Sequence, residues 1–387
     1  MRQSSDARPL RVAFVMEIGL GHTTVYKLFQ KVVGEDPRIV PTWIPVEFKP
    51  DDFLARVPKV RHDIVLRGGI KGYRQLRAAS SGTDFDAVFF HTQMVAIFCT
   101  RMMRKIPTLL SIDATPSQFA AMGAHYGLGD PERTSLRERI RERWYREAFT
   151  RAASVICMSE WAAEGVQRDY GLPADRTRVF YPGVDLVKWA PGEKSSEGPV
   201  RLLFVGGEFT RKGGDLLLRW MNEGGRARCT LDVVTGATVP ETPGVTVHKG
   251  LGPNDPRLIA LYQRADLFVL PTRADAASLV AMEAMASGTP VLSTRMGAIP
   301  SWVGEKNGAG VIVEPDQYAP LKEALDALVA DRPHLRAMGV RARARAEKLF
   351  DGGVNIQRQV AFIRDVASRA KGGVSAAEPG SGAEAAP

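Results

Sequence analysis

The chain has 387 residues, of which 44% are hydrophobic and 25% charged, with a formal net charge of +9 and a pI of about 9.5. The composition is that of soluble globular proteins, and the length exceeds one ordinary core, so about two domains are expected. No apolar run is long enough to span a bilayer, and Cys99, Cys157 and Cys229 lie too far apart in sequence for a Cys-x-x-Cys zinc or redox motif.

The opening segment, MRQSSDARPL, lacks the apolar core of a signal peptide. Apolar runs predict strands over Leu10–Met16, Ile39–Ile44, Ala87–Phe90, Thr108–Ile112, Val155–Met158 and Arg178–Tyr181. Gly19-Leu20-Gly21-His22 follows the first strand and begins like a dinucleotide fingerprint, but Thr24 stands where the third glycine belongs. It is either an ordinary strand-to-helix turn or a loop facing substrate. Asp84-Phe85-Asp86 matches a metal-binding Asp-x-Asp in only two residues, and no metal is assigned to it. His91 ends one apolar strand and Asp113 the next. Parallel sheets place chemistry at the carboxyl ends of their strands, although a satisfied strand-end histidine or a turn-capping aspartate would look the same. Over 133–151 the pattern is a basic helix in which Leu136, Ile140, Trp144 and Ala148 recur every four residues. It is either a salt-bridged solvated face or a membrane-surface contact.

Residues 190–199, APGEKSSEGP, are poor in apolar groups and form the best domain boundary. The strand pattern then restarts at Arg201–Val205, Thr230–Thr235, Val245–His248, Leu267–Leu270, Pro290–Thr294 and Gly310–Val313. Helices are expected over Asp215–Met221, Pro256–Gln263, Leu279–Ser287 and from Pro320 to about Lys371. This alternation predicts an α/β fold with two parallel sheets flanked by helices and an active site in the cleft between them.

Two segments of the second half carry chemistry. In GGEFTRKGG, Gly206 and Gly207 allow close backbone approach, and Arg211 and Lys212 supply cations. This is either a diphosphate clamp or a glycine turn with exposed cations, and it is not a Walker loop. In PTRADAASLVAMEAMASGTP, Asp275 precedes a helix that is apolar nearly all round and carries Glu283 inside it. Such a helix should be buried, and a buried carboxylate needs a hydrogen-bonding partner. Bare amides at Ser278, Leu279 and Val280 with an acid on either side suit a ligand bearing phosphate and hydroxyl groups, such as a sugar nucleotide.

Tyr181-Pro182-Gly183-Val184-Asp185, ALYQRADLFVLPT and EAMASGTPV together resemble glycosyltransferase family 4. The resemblance is strongest from Tyr181 to Val313. It implies the GT-B architecture, two Rossmann-like domains facing each other across a cleft, with an acceptor-side domain over 9–190, a linker over 191–199 and a nucleotide-sugar-binding domain over 200–350. A C-terminal helix over 351–371 is expected to pack back on the first domain, and the tail 372–387 to be disordered. The family's paired glutamates fall on Asp275, where aspartate replaces the first, and Glu283. Its phosphate-binding lysine matches Lys212, its strand-end histidine matches His91, and the arginine expected at Gly207 is absent, a role that Arg211 could fill. Asp113 and the loop with Gly19, Gly21 and His22 occupy acceptor-facing regions.

The resemblance further implies retaining, metal-independent transfer from a nucleoside-diphosphate sugar, with no other cofactor, to a glycan, lipid-linked or small-molecule acceptor. A cytoplasmic enzyme is expected, with peripheral contact at the inner membrane face through the basic helix. Rival readings are a sugar-nucleotide epimerase and a non-catalytic nucleotide-sugar binder on the same scaffold. A nucleic-acid binder is disfavoured, since the basic residues form no aromatic-basic module.

Overall fold

The structure is a computed structural model and describes residues 8–19, 22–49, 52–58, 60–126 and 135–371. The strands are β1 (Leu10–Ile18), β2 (Ile39–Glu47), β3 (Ala87–His91), β4 (Thr108–Ile112), β5 (Ser154–Cys157), β6 (Thr177–Val179), β7 (Val200–Val205), β8 (Cys229–Val234), β9 (Val245–His248), β10 (Leu267–Leu270), β11 (Val291–Thr294) and β12 (Gly310–Val313). The helices of the first half are α1 (His22–Gly34), α2 (Phe53–Arg56), α3 (Ile64–Ala79), α4 (Thr100–Met103), α5 (Pro116–Ala121), α6 (Leu136–Arg151) and α7 (Glu160–Tyr170). Those of the second half are α8 (Gly214–Asn222), α9 (Pro256–Arg264), α10 (Leu279–Ala286), α11 (Ile299–Val303), α12 (Tyr318–Ala330), α13 (Arg332–Leu349) and α14 (Gly352–Lys371).

Two six-stranded sheets result, in the orders β2-β1-β3-β4-β5-β6 and β12-β11-β10-β7-β8-β9. All pairings are parallel. The central strands are buried along their whole length, as in AVFFH, TLLSI and LFVL. Parallel strands are covered on both faces, so they read as continuous apolar runs. In the first lobe, Leu76, Phe149 and Val166 cover one sheet face. Phe29 and Val33 of α1 cover the other, together with Ile356, Val360, Ile363 and Ala367 of α14. The last of the described helices therefore completes the core of the first lobe.

The chain passes between the lobes twice, and the passages touch. The Val184 amide donates to the Phe350 carbonyl at 2.9 Å and the Gly352 amide to the Val184 carbonyl at 3.0 Å. A side chain on Gly183 would collide with the backbone of Gly352. Asp185 accepts from the Val187 and Lys188 amides, both at 3.1 Å. The Tyr181–Asp185 motif thus shapes the crossing point.

Two expectations need correction. The region expected to be helical from Pro320 is three helices, starting at Tyr318 and broken at Asp331 and between Leu349 and Gly352. The basic helix starts at Leu136, because the Ser135 hydroxyl caps the Glu138 amide and the Glu138 carboxylate caps Ser135 in return. Residues 133–134 and the tail 372–387 lie outside the described residues.

Candidate active site

After β7 the chain turns through Gly206–Gly213. A Cβ on Gly206 would lie 3.1 Å from Lys212 and from Phe204, whereas Gly207 faces open space. Gly213 has a φ of 80°, and a Cβ there would strike the Pro271 carbonyl at the end of β10. Glycine thereby lets the loop after β7 run against the loop after β10. The Arg273 amide donates to the Arg211 carbonyl at 2.9 Å. The Arg273 guanidinium ties Asp215 at 2.7 and 2.9 Å and Asp316 at 2.6 Å. Lys212 forms an ion pair with Asp275, both largely buried. Arg211 pairs with Glu208 at 2.7 Å and donates to the Ala274 carbonyl. Both candidate cations are thus anchored to the loop after β10, residues 271–278, the candidate donor loop.

At the start of α10, Ser278 is the N-cap residue but makes no capping bond. It is buried, and its hydroxyl has no hydrogen-bond partner. Leu279 and Val280 are half-buried. Gly297, with a φ of 51°, lies against the Asp275 and Ala276 carbonyls where no Cβ would fit, and the Ala298 amide donates to Ala276 at 3.0 Å. Further along α10, burial pushes the Glu283 carboxyl up to about 8, opposed by the neighbouring Tyr262 hydroxyl. That hydroxyl is itself buried and lacks a well-formed hydrogen bond. Glu283 is therefore held mostly protonated at neutral pH.

On the other lobe, His91 is fully buried in register with Met16 and Ser111. It borders a small cavity of about 20 Å³, with Ser111, Met158, Gly183 and Gln359. Asp113, half-buried, follows β4 on the next strand. Its neighbour Ala114 forms one apolar cluster with Met122, Ala274 and Ala276, bringing the Asp113 loop against the donor loop. Gly19 has open space around it. Gly21 and the side chain of His22 lie outside the described residues. The structure thus brings 206–213, 275–283 and the Asp113 loop together, while His91 lies at the end of the strand beside β4, against the cavity at the crossing point.

Sequence reasoning passed over Arg273, Gly297 and Thr92. Thr92 has a φ of 80°, and its hydroxyl donates to Glu17 at 2.5 Å across the ends of β3 and β1. A non-glycine residue in that region is uncommon and marks a constrained position, but nothing in its local sequence announces it. Asp86, in the rejected metal motif, accepts from Arg8 at 3.0 and 3.1 Å and from the Arg11 amide at 2.8 Å. Burial pushes the thiols of Cys99, Cys157 and Cys229 up to about 12, where no nucleophilic thiolate forms.

Two parallel-sheet lobes of six strands each, with a glycine-rich loop beside an uncapped helix start, define a GT-B fold. Sucrose-phosphate synthase from Thermosynechococcus elongatus has the same fold at 18% identity, with a TM-score of 0.72 over 93% of this chain and all of that one. HepE from Anabaena, solved with UDP, matches at 15% identity and a TM-score of 0.65, over 92% of this chain and all of that one. In sequence, residues 40–188 match the family described as Glycosyltransferase Family 4, and residues 244–345 that described as Glycosyl transferases group 1. The chain belongs to the family 4-like glycosyltransferases. A D-inositol 3-phosphate glycosyltransferase from Nocardia farcinica is 32% identical over 233 residues, 53% of this chain and 51% of that protein. The chain thus spans about half the length of that curated relative.

Proposed function

We propose that this chain transfers a sugar from a nucleoside-diphosphate sugar to an acceptor hydroxyl, with retention at the anomeric carbon and without metal or other cofactor. The observation that carries this reading is the start of α10. There a buried hydroxyl without a partner, Ser278, and an uncapped helix end lie beside the donor loop whose Asp275 holds the Lys212 ammonium. Helix amides and a cation in a water-poor site bind phosphate.

As the sugar bond breaks, negative charge grows on the distal phosphate. Lys212, Arg211 and the amides of Ser278 and Leu279 are the groups that stabilise it, each worth about 3 kcal/mol in a preorganised site. Lys212 must exchange Asp275 for phosphate as the donor enters. The acceptor hydroxyl attacks from the face that the phosphate leaves, and the phosphate takes its proton. Asp275 and Glu283 contact sugar and ribose hydroxyls, and His91 orients substrate from the opposite lobe. The acceptor is a glycan, a lipid-linked sugar or a small molecule, approached through the Gly19–His22 and Asp113 loops. We place the reaction in the cytoplasm, where buried free thiols persist, with the basic helix touching the inner membrane face.

Thermal shifts with UDP, GDP, ADP and TDP test the reading, UDP first because HepE was solved with it. One nucleotide should raise the melting temperature in the wild type and fail to do so in Lys212→Ala. A flat response to all four would overturn the donor site. Nucleotide release without transfer over a broad acceptor panel would favour an epimerase. Binding without release would favour a non-catalytic protein.

A further inference from the structure

Three adjacent strands, β1, β3 and β4, end side by side at the edge of the first sheet that bears Asp113. Glu17, half-buried, is next to last in β1. Thr92 follows β3, and its hydroxyl donates to Glu17. Gln93 comes next, only 7% exposed. Its amide nitrogen donates to the Ala114 carbonyl at 3.3 Å, which fixes the direction of the amide, because a carbonyl only accepts. The amide oxygen is left buried, with no hydrogen-bond partner among the described residues. A buried amide oxygen without a donor is costly, and native structures keep such groups rare.

Gln93 cannot easily turn away. The segment after it is locked onto α3, where a Cβ on Gly72 would strike the Val95 carbonyl and one on Gly69 the Ile97 side chain. The edge also stands against the donor loop, since Ala114 packs with Ala274 and Ala276 on either side of Asp275.

The chemistry of this edge is one-sided. Glu17, Asp113 and the Gln93 oxygen are acceptors. The Thr92 hydroxyl and the Gln93 nitrogen are donors, but they are turned to Glu17 and to Ala114. Helices that follow parallel strands start at this edge, and their half-buried cations are paired already. Arg67 and Lys71 of α3 hold Asp52, and Arg141 of α6 holds Asp63. A phosphate would bring only acceptors and negative charge toward two carboxylates. A hydroxyl brings a donor.

We propose that Glu17, Gln93 and Asp113 select the acceptor, and that the acceptor is a neutral sugar or polyol whose hydroxyls donate to them, not a phosphorylated one. The proposal rests on the transfer reaction, whereas the donor site does not depend on it.

Ligand-observed NMR titration of the full chain, with and without UDP, tests it on free hexoses, inositols and alditols, each beside its own monophosphate. At least one neutral member should bind, and at least roughly tenfold tighter than its monophosphate. Gln93→Met, close in shape but without the amide oxygen, should weaken that binding by roughly tenfold. Glu17→Gln and Asp113→Asn should each narrow the gap between neutral and phosphorylated ligand by roughly tenfold, a change that a merely structural role would not produce. If one of them fails to fold, the other decides. All three variants should keep the nucleotide-induced rise in melting temperature, which separates failure of this edge from failure of the donor site. Monophosphates that bind as well as the neutral members would overturn the proposal. So would a panel in which no neutral member binds, or a gap left unchanged by both carboxylate substitutions.

Discussion

Lys212 and Asp275 form an ion pair, although they lie 63 residues apart in sequence. The cation was legible from its glycine loop, and the acid from its place before an apolar helix. Their pairing was not, because only the fold brings the ends of β7 and β10 together. Lys212→Ala should lower turnover roughly 100-fold or more, read as nucleotide release under saturating donor. Turnover near wild type would remove Lys212 from the clamp.

Glu283 was legible as an acid inside an apolar helix, but its raised affinity for protons comes from burial in the packing around α10, which the Tyr262 hydroxyl only partly offsets. Folded, its carboxyl titrates near 8 rather than the ordinary 4.5. Between those values the folded chain holds a proton that the unfolded chain has released. This group's stabilising share is complete below about pH 4.5 and is lost as pH rises toward 8. Ribose hydroxyls donate to a carboxylate and favour its charged form. Nucleotide binding near pH 7 should therefore release a proton, seen by calorimetry in buffers of different protonation heat. Glu283→Gln should abolish that release, weaken binding, and melt no lower than wild type at pH 8.

At the scale of elements, the strands were the most legible part. Thr108–Ile112, Val245–His248, Leu267–Leu270 and Gly310–Val313 have the bounds that their apolar runs imply. Leu267–Leu270 is buried along its whole length with no polar interruption to blur it, whereas Val245–His248 is partly exposed at the sheet edge. Helix α6 was less legible. Its four-residue period identifies a face, but a period does not reveal whether another element covers that face, and at Leu136 and Ile140 none of the described elements does. Close contacts between loops left no sequence signal at all. Gly297 is the clearest case: a methyl group there would push into the donor-loop carbonyls. Gly297→Ala should cost about 2 kcal/mol or more and weaken nucleotide affinity, measured by denaturant unfolding and titration. An unchanged midpoint would show that the donor loop can move aside freely.

Across the whole molecule, sequence position and structural membership part company. Ile363 lies near the end of the chain, yet it is fully buried with Phe14 and Phe89 of the first lobe. Ile363→Ala should destabilise that lobe by roughly 2–5 kcal/mol. Hydrogen exchange should quicken in β1 and β3 and stay unchanged in β10 and β11. Faster exchange in β10 instead would place α14 with the other lobe.

The paired passage at Val184 and Gly352 makes the second lobe an insertion: its two ends leave the host within one hydrogen bond of each other. Such a unit can be lifted out and the host rejoined by a few residues, as happens when one domain is grafted into a loop of another. Residues 185–350 made alone should fold and bind nucleotide, and the spliced remainder should keep its sheet. The two lobes would then be exchangeable parts, each recombinable with a foreign partner through a single short seam.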